Sequence, residues 1–308
     1  MAKYRILSLD GGGIRGLLTT ILLQRLDAAV PGWRDRVDII AGTSTGGVIA
    51  LGLAHGQSPK DLRELYEKKG RKIFDDSWLD NLKDLGSITG AEYDNRNLAR
   101  ELHRVLGETR LKNLGKRVVI PTFDLDNEDP SPHKRSWKPK IFHNFPGEDS
   151  DGNALAWKVA LYTSAAPTFF PTVDGHIDGG VFANNPSLCA LAQSQDDRTQ
   201  GVHPKLADIA LLSIGTGLSL NYIKGKNLDW GYAQWIKPLL NILMDGVSGI
   251  ADFQCRKLLG DDGYHRLAPV FPPKISVPLD AVKHIPYLVT FANQVSLEST
   301  VQWLEDVW

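Results

Sequence analysis

The chain is short of several things, and each shortage narrows the range of functions. Among 308 residues there are only two cysteines, Cys189 and Cys255, without metal-like spacing, which argues against a disulfide framework and a structural zinc site. A reducing cytoplasm is the expected setting. Neither sign of charge is in excess: 35 Lys and Arg face 36 Asp and Glu, a formal net charge of -1, and no charged tail occurs. General binding to nucleic acid therefore has no electrostatic basis, although a local basic pocket for a small anion is compatible with this balance. No apolar run reaches the roughly 18 residues of a membrane span. The opening Met1-Ala2-Lys3-Tyr4-Arg5 passes directly into a strand-like run, with no signal-peptide apolar region. A lipid substrate would have to be met from the water side, with the protein peripheral to the inner face of the membrane. Internal repeats and low-complexity linkers are absent too. What remains is ordinary globular composition, 42% hydrophobic and 23% charged, ample for one large core.

Strand and helix patterns alternate along the chain. Arg5 to Leu9 reads as a buried strand, Leu17 to Val30 as a helix, Val37 to Ala41 as a second strand and Gly47 to Ala54 as the helix behind it. Ser58-Pro59-Lys60-Asp61 has the form of a helix start, with a serine cap, proline in the first turn and an acid three residues after the cap; the helix is expected to reach about Lys69. Asn95 to Leu106 follows as a helix. Arg117 to Leu125 and Lys138 to Phe142 resemble strands, separated by a polar loop, Asp126 to Pro139, with the composition of a flap. Ala154 to Ala165 and Pro186 to Gln195 read as helices, Val173 to Ile177 as extended, and Asp208 to Ile214 as a buried strand before Gly215-Thr216-Gly217. Such alternation predicts a mainly parallel sheet covered by helices. From about Lys226 the chain becomes Trp-rich (Trp230, Trp235, Trp303, Trp308), and 226–308 is expected to form a helical cover within the same domain, not a second one.

Three separated motifs suggest one chemistry. Gly42-Thr43-Ser44-Thr45-Gly46 follows a strand and opens a helix, the context required of a nucleophile elbow, where a sharp turn between Gly42 and Gly46 lifts Ser44 towards the helix N-terminus. Gly11-Gly12-Gly13-Ile14-Arg15-Gly16 also fits a dinucleotide-binding turn, which calls for an acid at the end of the second strand. Asp38 lies at the start of that strand instead, and the strand leads into Ser44, so the nucleotide reading loses. In an acyl-transfer site, Gly11, Gly12 and Gly13 would offer backbone amides to an oxyanion, and Arg15 could reinforce them, although a solvent-facing arginine is an equal reading. Asp178, in Asp178-Gly179-Gly180, fits an ordinary Asp-Gly turn. Paired with Ser44 it becomes the leading general base, provided that burial raises its basicity. The alternative is a Ser-His-Asp triad through His176, His203, His265 or His284, none of which has a motif around it; the dyad is preferred.

The three motifs together, in this order and separation, resemble the patatin-like phospholipase family. Ala165 to Pro171 and Phe182-Ala183-Asn184-Asn185-Pro186 resemble further family segments, so the likeness spans about residues 4–217. The resemblance implies a three-layer α/β/α sandwich, lipid acyl hydrolysis by a Ser44 and Asp178 dyad, an oxyanion hole at Gly11 to Gly13, and neither metal nor organic cofactor. Phe169, Phe170, Phe182 and Trp78 are candidates to line an acyl channel, with core packing as the competing role. The compact length also resembles effector phospholipases of antiphage defence, which a cyclic di- or trinucleotide switches on; a homo-oligomer that orders the Asp126 to Pro139 loop would be one route. A constitutive lysophospholipase of lipid housekeeping and a catalytically silent lipid-binding module are the competing readings.

Overall fold

The computed structural model describes residues 3–75, 91, 93–201 and 203–308. Its centre is a seven-stranded sheet of β1 (Tyr4–Leu9), β2 (Ile39–Gly42), β3 (Arg117–Asp124), β4 (Lys138–His143), β5 (His176–Asp178), β6 (Ile209–Ile214) and β7 (Tyr264–Leu267). The order is β4-β3-β2-β1-β6-β7, with β5 also on β3. Strands β1, β2, β3, β6 and β7 run parallel, while β4 and β5 pair antiparallel with β3. The helices are α1 (Gly16–Ala29), α2 (Thr45–Ala54), α3 (Pro59–Asp75), α4 (Asn95–Leu106), α5 (Ala156–Thr163), α6 (Gly180–Ala183), α7 (Ser187–Ser194), α8 (Tyr232–Gly263), α9 (Ile285–Gln294) and α10 (Glu298–Val307).

Side chains alternate across a strand, so a sheet covered on both faces favours apolar residues at successive positions. In β1, Leu7 and Leu9 join the cluster containing Leu17, Leu22, Ile49 and Leu288, whereas Ile6 points into the other, with Leu191 of α7 and Cys255 of α8. The result is the expected three layers, with α1, α2, α4, α5, α9 and α10 on one face and α7 and α8 on the other.

Most elements lie where the pattern puts them. The start of α3 is the expected capping box: the Ser58 amide donates to Asp61 Oδ2 at 3.1 Å and the Asp61 amide to Ser58 Oγ at 3.2 Å. Three expectations need correction. The C-terminal segment is not only a cover, because β7 extends the sheet beside β6. The segment expected to be extended at Val173 to Ile177 is shorter and shifted, with β5 covering His176–Asp178. The connection from Asp126 to Pro139 is a bonded hairpin loop, not a loose flap: Asn127 accepts the Ser136 amide at 3.0 Å, Arg135 pairs with Asp126, and Pro139 already belongs to β4.

Candidate active site

The site forms where two strand ends and a split sheet edge meet. Strand β2 pairs with β3 only over Arg117 to Val119; further along, Thr122 to Asp124 pair with β5 instead. That switch places Asp178, at the end of β5, beside the end of β2. Immediately after β2, the chain turns at Ser44 with φ 54° and ψ -126°, a left-handed conformation that L residues adopt only when their surroundings enforce it. The flanking glycines show what enforces it. A Cβ on Gly42 would stand 2.1 Å from the Gly46 carbonyl oxygen, and one on Gly46 would stand 2.2 Å from that of Leu9. The Ser44 amide donates to Thr163 Oγ1 at 2.9 Å, and Thr163 Oγ1 donates to the Pro121 carbonyl at 2.6 Å, tying the elbow to α5 and β3.

Asp178 is buried, with Oδ1 accepting the Gly180 amide at 2.6 Å and Oδ2 without a hydrogen-bond partner among the described residues. Burial pushes its carboxyl up to about 6, and the neighbouring Ser44 hydroxyl and the Gly180 amide pull in the opposite direction. Ser44 and Asp178 line one narrow pocket of about 70 Å³, with Val48, Leu65, Phe169 and Phe170 among its apolar walls and Met244 of α8 on one side. Phe169 and Phe170 line this pocket and also pack with the core, whereas Phe182 packs against Phe123. Trp78 lies outside the described residues. Ser164 also lines the pocket and keeps a buried hydroxyl without a partner among the described residues; nothing in its sequence context marked it.

The glycine loop divides its tasks. The Gly11 amide donates to the Asn184 carbonyl at 3.0 Å, so it is already committed and drops out as an oxyanion donor. The amides of Gly12 and Gly13 have no acceptor among the described residues. Gly13 has φ 56°, and its α-carbon lies so close to Leu279 that a Cβ would stand 2.1 Å from that carbonyl oxygen. Arg15 also departs from the role suggested for it. Its side chain reaches back to the carbonyls of Gly12 (3.4 Å) and Gly217 (3.2 Å) and lines a separate polar cavity of about 360 Å³ with Asp245 and Asp252. Arg15 braces the loop from behind. Burial lowers its pKa, opposed by Asp245 and Asp10.

Several further residues, most of them outside the three motifs, support the site. Thr216 Oγ1 donates to the Gly11 carbonyl at 2.8 Å, and Thr43 Oγ1 donates to the Ala183 carbonyl at 2.6 Å. Arg266 of β7 forks onto Asp10, with Nη1 at 3.2 Å from Oδ1 and Nη2 at 2.5 Å from Oδ2, and also bonds Ser213. None of the four candidate histidines lines the Ser44 pocket. His176 bonds the Asp174 carbonyl, His203 that of Thr199, and His265 pairs with Thr300, while His284 closes a turn before α9. Asp38, the rival ribose acid, accepts the Arg5 amide at 2.7 Å, which is a strand-end contact.

A serine at an enforced elbow over an apolar pocket is the geometry expected of a lipid hydrolase. Residues 7–191 match the profile described as Patatin-like phospholipase, and the chain belongs to that family. It is 32% identical to Patatin-like protein 1 of Oryza sativa subsp. indica, over 86% of this chain and 74% of that protein. It is 34% identical to the cGAMP-activated phospholipase of Vibrio cholerae, over 73% and 69%. Protein teg of Priestia megaterium is 29% identical over the full length of both. Among the described residues, no helix is long and apolar enough to cross a membrane.

Proposed function

We propose that the chain hydrolyses fatty acyl esters of membrane phospholipids through a Ser44 and Asp178 dyad. The observation that carries this reading is the shared pocket, in which an elbow serine meets a buried carboxyl with a raised pKa and one unpartnered oxygen. Asp178 Oδ2 takes the Ser44 proton as Oγ attacks the ester carbonyl. Negative charge on the carbonyl oxygen is met by the amides of Gly12 and Gly13, a contribution of a few kcal/mol to the transition state. The tetrahedral intermediate collapses to acyl-Ser44, and the departing lysophospholipid alkoxide receives the proton from Asp178. Water then attacks the acyl-serine and gives its proton to the same aspartate. The fatty acid leaves and Ser44 is reprotonated.

A second layer of the reading is that a cyclic nucleotide gates this activity in antiviral defence. It is supported by the 34% identity to a relative named for activation by cGAMP. Both layers are tested by fatty acid release from phospholipid vesicles, with wild type and Ser44→Ala, each with and without a panel of cyclic di- and trinucleotides. Release by wild type and none by a folded Ser44→Ala variant is expected. Wild-type rates in that variant would overturn the dyad. Release only with one nucleotide supports gating, release without additives supports a constitutive lysophospholipase, and silence throughout would favour the lipid-binding module.

A further inference from the structure

Helix α8 is apolar on two sides. One side packs inward: Met244, Ala251 and Cys255 are buried, and Ser248 accepts from the Asn184 side chain at 3.0 Å. On the other side Trp235, Leu239, Ile242, Leu243, Ile250 and Phe253 recur at helical spacing and are 37–56% exposed. A stripe from residue 235 to 253 is about 27 Å long. The segment before the helix continues it, with Leu220, Tyr222, Ile223 and Leu228 exposed on either side of Lys224 and Lys226. A soluble surface seldom leaves so much contiguous apolar area uncovered without a partner.

We propose that this face of α8, with the segment 220–228, is the surface that docks on a phospholipid bilayer. Continuity with the site favours this occupant. The helix that presents the stripe to the outside presents Met244 to the Ser44 pocket, and Met244 packs against Gly180 of the Asp178 turn. A bilayer seated on the stripe thus lies one helix away from the pocket that must receive an acyl chain. Charge favours it as well. The segment 220–228 carries Lys224 and Lys226 and no acid, whereas the exposed charged side chains described along α8 are Arg256 and Lys257 against Asp245, Asp261 and Asp262. The two lysines at the head of the stripe suit an anionic lipid surface. Aromatic and aliphatic side chains interleaved with lysines are the composition of a segment lying in a membrane interface.

The inference rests on the phospholipase reading, so its test separates the two. Vesicle binding is measured by co-sedimentation with phosphatidylglycerol and phosphatidylcholine vesicles in a Ser44→Ala background, which leaves the vesicles intact. Replacing Ile242 and Phe253 together with Gln is expected to weaken binding to both vesicle types tenfold or more. Replacing Lys224 and Lys226 with Gln is expected to weaken binding to phosphatidylglycerol alone, about fivefold for each lysine. In a Ser44 background the same variants are expected to hydrolyse a soluble short-chain ester at wild-type rate. Unchanged vesicle binding, or no binding by the parent protein, overturns the docking surface. So does a change in oligomeric state on analytical ultracentrifugation with vesicle binding intact, which would assign the stripe to a second copy of the chain. Absence of hydrolysis of both soluble ester and lipid would instead count against the hydrolase reading, and leaves the vesicle-binding result decisive on its own.

Discussion

An ionised carboxyl with one unsatisfied oxygen is unfavourable to bury, and Asp178 is in that position. Its pKa of about 6, raised mainly by burial, lies above the value near 3.9 of the unfolded chain. Between those values the folded state holds a proton that the unfolded state has released, so stability falls as pH rises through that interval. A shift of this size corresponds to about 3 kcal/mol lost by pH 7. Catalysis runs the other way, since the base must be unprotonated, and kcat/KM for vesicle lipid is expected to rise through an acid limb near pH 6. Asp178→Asn keeps the acceptor for the Gly180 amide and removes the charge. It is expected to be almost inactive yet more resistant to urea than wild type by roughly 2–3 kcal/mol at pH 8, with the gain vanishing near pH 4. An inactive variant with no gain at pH 8 would mean that Asp178 is not strained by burial.

At the scale of elements, what was legible in the sequence follows from periodicity and from glycine. The strands β1, β2 and β6 are mostly apolar, interrupted only by Arg5, Ser8 and Ser213, as strands buried on both faces tend to be, and the elbow is written in Gly42 and Gly46 because no other residue fits between the crossing backbones. Strand β7 was not legible. Its sequence, Tyr-His-Arg-Leu, carries two polar residues, and it becomes a strand because the edge of β6 is available to it. The polar residues are there for a reason that only the fold reveals, since Arg266 reaches under the glycine loop to Asp10. For the same reason Arg15 and Gly11 were misassigned: composition places them at the loop, but only the register of neighbouring chains shows which groups are already bonded. Removing one partner of a buried ion pair leaves the other charge uncompensated, typically at 3–5 kcal/mol. Arg266→Met is therefore expected to lose that much stability in urea unfolding. The loss should be greater at pH 8 than at pH 5, where Asp10 can take up a proton, and Asp10→Asn in the same chain should recover part of it. Equal losses at both pH values would show that packing, not charge, makes the contact.

For the whole molecule, the question is whether the C-terminal third is a separable cover or part of one cooperative unit. Trp308 decides much of this, being buried and standing edge-on to Trp33, with ring centroids 5.8 Å apart. Its indole donates to the Trp33 carbonyl at 2.9 Å, and Arg36 donates to the Trp308 carbonyl at 2.7 Å. These contacts join the end of α10 to the connection between α1 and β2, the connection that leads into Ser44. Strand β7 adds a second tie in the centre of the fold. A cover held this way should not unfold first. Trp308→Ala removes a large buried ring and is expected to cost about 3–5 kcal/mol. If the chain is one unit, urea should then shift near-UV circular dichroism and vesicle hydrolysis together to a lower midpoint, with activity per folded molecule unchanged. A variant that lost the aromatic signal at low urea while hydrolysis persisted to the wild-type midpoint would show that α9 and α10 are a detachable layer over an independently stable hydrolase.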